Sequence, residues 1–110
     1  MGVSEVIILP DYIIGDMIFN WNEEKAESNL QKHGVSFEEA ATVFSDEDLM
    51  IMTDEDYNGS EERFLLLGYS RMSRILIVCH CYRGEDDNIV RIISARKATK
   101  TEEKLYRGTK

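Results

Sequence analysis

Apolar positions along this chain change their spacing midway. Residues 17–21, Met-Ile-Phe-Asn-Trp, read as a short strand ending on Asn22, a good helix N-cap, with Glu23 and Glu24 in the first turn where the helix dipole favours anions. Ala26, Leu30 and His33 then recur at spacings of four and three, one helical face, and Gly34 is the expected left-handed stop. Ser36-Phe37-Glu38-Glu39 has the form of a capping box, and Phe37, Ala40, Ala41 and Phe44 make the apolar stripe of a second helix folded back on the first. From residue 49 the apolar runs have strand length: 49–52, 64–69, 75–82 and 89–94, separated by turns at 54–62, 70–73 and 83–88. Thr99-Lys100-Thr101-Glu102 is a second capping box and opens a basic helix holding Leu105 and Tyr106. The order is β-α-α-β-β-β-β-α. Short connections make consecutive strands antiparallel, so the expected class is α+β: two N-terminal helices and a C-terminal helix packed on an antiparallel sheet of four to five strands.

The run 89–99, Ile-Val-Arg-Ile-Ile-Ser-Ala-Arg-Lys-Ala-Thr, is apolar enough for a strand covered on both faces, yet it carries Arg91 and Arg96. Five residues apart, the two leave on opposite faces if the strand is regular. A guanidinium is always charged and rarely buried alone. An anion is therefore expected at one of them at least, either a carboxylate of this chain or the phosphate of a ligand.

A chain of 110 residues is the commonest size for one domain. The domain is expected over 17–110, preceded by an extension, 1–16, that is an upstream start, a disordered arm or an added edge strand. The apolar clusters of that extension are broken by Pro10 and lack a basic flank, so they fit neither a secretory signal nor a membrane span. Cys79 and Cys81 share one strand face and cannot easily bridge each other, which makes a reducing cytoplasm the default.

Charge complicates the picture. The net charge of -8 discourages contact with nucleic acid. Its distribution does the opposite: residues 1–62 carry 16 acidic and 2 basic side chains, whereas residues 63–110 carry 5 acidic and 11 basic. Such asymmetry suits a polyanion-facing surface, or two halves whose charges pair on folding.

Asp54-Glu55-Asp56-Tyr57-Asn58-Gly59 matches the first half of a calcium loop, but its twelfth position is Leu65 and its flanks read as strands, so a solvated hairpin loop is expected. Cys79-His80-Cys81 resembles a zinc ligand set, yet on a strand His80 points away from both thiols and no second pair completes a tetrahedron. Two buried thiols are the expectation, with His80 either a hydrogen-bonded structural residue or a catalyst. Lys32 and His33 end a helix, where the dipole alone favours cations. Phosphate-loop glycines and a nucleophile elbow are absent. What remains is Lys32, His33, Arg63, His80, Arg83, Arg91 and Arg96 with no metal site and no cofactor. Cutting RNA without a metal needs a base for the 2′-hydroxyl, cations for the phosphorane and an acid for the leaving oxygen, roles open to these side chains.

Three blocks carry a resemblance: Asn29-Leu30-Gln31-Lys32-His33-Gly34-Val35-Ser36-Phe37-Glu38-Glu39-Ala40, Glu62-Arg63-Phe64, and Arg91-Ile92-Ile93-Ser94-Ala95-Arg96-Lys97-Ala98-Thr99. Together they resemble the BrnT family of type II toxins, from Met17 to about Arg107; residues 1–16 have no counterpart. The resemblance implies a small RelE-like ribonuclease that cuts mRNA in the cytoplasm, slows translation and is neutralised by a BrnA-type ribbon-helix-helix antitoxin. The assembly would be a homodimer or a heterotetramer with the antitoxin. It implies phosphate contacts from Lys32 and Arg96 with Arg63 assisting, His33 or His80 as acid or base, and RNA contacts from Arg83, Arg91 and Lys97. The alternative is a binding module that has lost catalysis and serves only as antitoxin partner or co-repressor.

Overall fold

The computed structural model describes residues 12–55, 59 and 61–108. Most of the extension, and the centre of the loop that resembles half a calcium site, lie outside them. The elements are β1 (Tyr12–Ile14), β2 (Met17–Asn20), α1 (Glu23–His33), α2 (Phe37–Thr42) with a 3-10 turn (Val43–Ser45), β3 (Met50–Thr53), β4 (Phe64–Tyr69), β5 (Ile75–Arg83), β6 (Ile89–Lys97) and α3 (Lys100–Gly108). The α+β class and the three helices match expectation, but the sheet has six strands, in the order β1-β2-β6-β5-β4-β3. β1 adds the extra edge through a tight turn at Gly15, whose φ of 59° suits glycine. One pairing is not antiparallel: β2 runs parallel to β6, a long-range closure that short connections cannot produce.

α1 and α2 cover one face of the sheet. There Phe37, Ala40 and Ala41 of the predicted stripe pack with Phe19, Leu66, Leu76, Val78, Val90, Ile92 and Ala95, all buried. α3 covers part of the other face, where Tyr106 packs with Leu67, Ile75 and Ile77. The approach of the 3-10 turn to β4 is close: a Cβ on Gly68 would lie 2.8 Å from Val43 Cγ1, so only glycine fits there. Among the described residues no helix is long and apolar enough to cross a membrane.

The helix ends follow the sequence. Asn22 Oδ1 accepts from Lys25 N at 2.9 Å, and Gly34, at φ 70°, donates to Leu30 O. Thr99 and Glu102 form a reciprocal capping box, with N–H to oxygen distances of 2.8 and 3.1 Å. Ser36 caps α2 in the same way, but the Glu39 carboxylate does not reach back to it. Instead Glu39, 4% exposed, accepts from Arg74 Nε at 2.9 Å, from Arg74 Nη2 and from Ser70 Oγ at 2.7 Å. Arg74 also donates to Gly34 O at 2.9 Å, so one ion pair ties α2, the end of α1 and the β4–β5 turn.

Candidate functional site

The two arginines of β6 share a face. Between Cys79↔Ser94 and His80↔Ile92 the register shifts by one, leaving Ile93 as the extra residue of a β-bulge. Cα partners in an antiparallel pair point to the same side. Arg91 opposite Cys81, Ser94 opposite Cys79 and Arg96 opposite Ile77 therefore leave on the α3 face, whereas Val90, Ile92 and Ala95 point under α1 and α2. This corrects the expectation for a regular strand, and the bulge is the physical reason. About 13 Å of strand, four residue steps along β5, separates the two arginines. Arg63 joins the same face, because Asp54 N donates to its carbonyl one position beyond the Thr53↔Phe64 pair, and its charge is felt by Cys79.

The cations differ in what holds them. Arg96 forms a forked pair with Glu102 at 2.8 and 3.0 Å, which draws that carboxyl down to about 2. Arg83 forms a similar pair with Glu61 at 2.7 and 3.0 Å, out in solvent, and this holds the Glu61 carboxyl below its usual range. Arg91 is different: its hydrogen-bond partner among the described residues is the neutral Asn20 Oδ1, at 3.2 Å. Among the described residues, the anion expected at one arginine of β6 is thus a carboxylate at Arg96, while Arg91 has none.

Lys32 and His33 come to β6 from its open edge. β2 stops opposite Arg91, and beyond it Asn29 of α1 takes the place of a strand, donating to Ala95 O at 2.8 Å and accepting from Ala95 N at 3.1 Å while also donating to Val35 O. This seats α1 so that Lys25, Ser28, Lys32 and His33 line a cleft of about 240 Å³ with Ile93 and Ser94. Ser94 borders both the cleft and the arginine-bearing face. Asn29 was missed in the sequence, where Ala26, Leu30 and His33 defined the buried side; in fact Leu30 is 49% exposed and Asn29 only 7%. A polar residue inside a motif block, one position from the apolar stripe, was the available signal. Asn29→Ala leaves buried backbone groups of Ala95 unpaired and is expected to lower stability by about 2–3 kcal/mol, measurable by urea unfolding.

His80 is elsewhere. It is fully buried on the α1–α2 face, against Phe44 with ring centroids 4.8 Å apart, and burial holds its imidazole down to about 4. Nδ1 lies 3.3 Å from Val78 O and Nε2 3.2 Å from the Tyr82 hydroxyl, which together fit a neutral ring donating to Val78 and accepting from Tyr82. The side chain is across the sheet from the arginines, so the structural role, and not the catalytic one, fits its position. Since its folded pKa lies below the unfolded 6.5, the neutral ring stabilises the protein at pH 7, and this is lost as pH falls from about 6.5 to 4. His80→Leu is expected to flatten stability against pH in that window, where one group gives up to about 1.4 kcal/mol per pH unit.

Cys79 and Cys81 are free and buried on the arginine-bearing face, their thiols pushed up by burial. Among the described residues no three His, Cys, Asp or Glu side chains cluster as metal ligands do. A further cleft, between α1 and α2, is rimmed by Glu23, Glu24, Glu27 and Glu38 and would repel phosphate. Lys97 lies past Arg96 at the end of β6, beside α3.

A family model described as a ribonuclease toxin, BrnT, of type II toxin-antitoxin system matches residues 21–102. Among solved structures, the Brucella abortus ribonuclease toxin BrnT is similar in fold, with a TM-score of 0.54 at 21% identity over 73% of this chain and 94% of that one. None of the curated proteins compared matches the sequence.

Proposed function

The chain belongs to the BrnT family of ribonuclease toxins of type II toxin-antitoxin systems, and on that premise we propose that it cuts mRNA at β6 without a metal ion. The 2′-hydroxyl attacks the adjacent phosphorus, an O2′–P bond forms and the P–O5′ bond breaks. One proton leaves the 2′-oxygen and another reaches O5′, giving a 2′,3′-cyclic phosphate and a 5′-hydroxyl. His33, exposed at the end of α1, is the side chain in reach of this proton traffic. Arg91 and Arg96 from the face and Lys32 from the edge carry the charge of the phosphorane, with Arg63 assisting. Arg83, bound to Glu61 at the far end of β5, contributes at most to holding the RNA backbone. Cleavage of mRNA slows translation in the cytoplasm, and a BrnA-type ribbon-helix-helix antitoxin holds the protein in check.

The observation that carries this reading is the bulge at Ile93, which puts Arg91, Ser94 and Arg96 in one row while Ser94 also lines the Lys32–His33 cleft. Purified protein is expected to cut single-stranded RNA in excess chelator, leaving cyclic phosphate ends. RNA left intact both in chelator and with added divalent ions would overturn the proposal. A second reading, a binding partner without catalysis, is favoured by the carboxylates already matched to Arg96 and Arg83. It requires that Lys32→Ala leave RNA and growth untouched.

A further inference from the structure

A cleft of about 260 Å³ lies at the end of the sheet where the β4–β5 turn, the last residues of β6 and α3 meet. Ile75 and Ala98 supply an apolar floor, and Tyr69, 42% exposed, stands at the rim; among the described residues its ring stacks on no other. Lys97 and Arg107 bring two cations that form no ion pair among the described residues, against one carboxylate, Glu103. Arg74 also lines the cleft, but its charge is cancelled by Glu39. Ser73, at φ 63° in the turn, adds a hydroxyl.

An exposed aromatic ring beside cations that form no salt bridge among the described residues, over a small apolar floor, is the way sequence-tolerant sites hold single-stranded nucleic acid: the ring takes a base and the cations take the backbone. The position fits as well. Tyr69 and Ile75 lie on the α3 face with Arg96, and Glu103 follows Glu102, the partner of Arg96, on α3, whereas Lys97, opposite Leu76, turns to the α1–α2 side and reaches the cleft from the end of the sheet. A strand that crosses Arg96 and rounds the end of β6 would meet this cleft.

We propose that the cleft is a subsite for one nucleotide of the RNA substrate next to the scissile bond, with Tyr69 stacking on its base and Lys97 and Arg107 holding its phosphate. The assignment rests on the ribonuclease reading above. The test is steady-state cleavage of single-stranded RNA by the full chain and its Tyr69→Ala, Tyr69→Phe and Lys97→Ala variants, with melting temperature as a check on folding. Tyr69→Ala is expected to raise KM by about 5- to 100-fold with little change in kcat, the effect of losing one stacked base, and Tyr69→Phe, which keeps the ring, to restore it. Lys97→Ala should lower the slope of log affinity against log salt by about 0.7 to 1. If wild type cuts RNA but Tyr69→Ala keeps its KM and Lys97→Ala its salt slope, the subsite is overturned and the cleft is left to an acidic protein segment. If wild type cuts no RNA, the ribonuclease reading fails first and takes the subsite with it.

Discussion

On the proposed function, replacing Arg91 by alanine is expected to lower kcat/KM for RNA cleavage by about 100-fold, the effect of losing one preorganised donor to a developing oxyanion, and to leave the protein folded. Arg91 is the β6 arginine without a carboxylate partner among the described residues, and Asn20, its partner, is also able to bind water. Arg96→Ala is expected to have a similar effect on cleavage and a second consequence, since Glu102 loses its forked partner. That pair is 41% and 26% exposed, so its loss costs at most about 1 kcal/mol, and Glu102 keeps the capping bond from Thr99 N. Both variants should therefore melt within a few degrees of wild type. Loss of folding in Arg96→Ala would show that the arginine serves the fold and not the substrate.

Arg74→Ala destabilises the protein by about 3 kcal/mol or more at pH 7, because it strands the Glu39 carboxylate in the interior. For a domain of this size that is a fall in melting temperature of about 12–20 °C. The pH dependence has a definite sign. The Arg74 guanidinium holds the Glu39 carboxyl below its ordinary 4.5, so the pair's stabilisation is present above that value and is lost as pH falls below it. The gap between wild type and Arg74→Ala should therefore narrow in acid. Adding Glu39→Gln to Arg74→Ala recovers part of the loss, since a neutral amide replaces the stranded charge while Ser70 Oγ keeps an acceptor.

Helix ends, the α2 stripe and the four later strands were legible because each rests on local chemistry: a cap, a glycine, an apolar run between turns. α1 was legible as a helix but not in its orientation. Its seat is an amide that pairs with a strand edge, a contact that hydrophobic spacing does not encode. The parallel closure of β2 on β6 joins residues about seventy apart, beyond the reach of turn rules. The bulge at Ile93 carries no glycine or proline to mark it, so the sequence put Arg91 and Arg96 on opposite faces when they share one. Glu39 shows the converse. Its capping-box spacing was correct for Ser36, yet a distant arginine outcompetes the helix end for the carboxylate.

On the proposed function, the end of α1 and the bulged face of β6 hold one RNA strand together. Amide chemical shifts of the protein titrated with a single-stranded oligonucleotide, 2′-deoxy at the cut so that no nucleophile remains, address it directly. Shifts at Lys32, His33, Arg91, Ser94 and Arg96 are expected to saturate together with one affinity and to fade with added salt. Shifts confined to α1, or gathered instead in the acidic cleft of Glu23, Glu27 and Glu38, would contradict it.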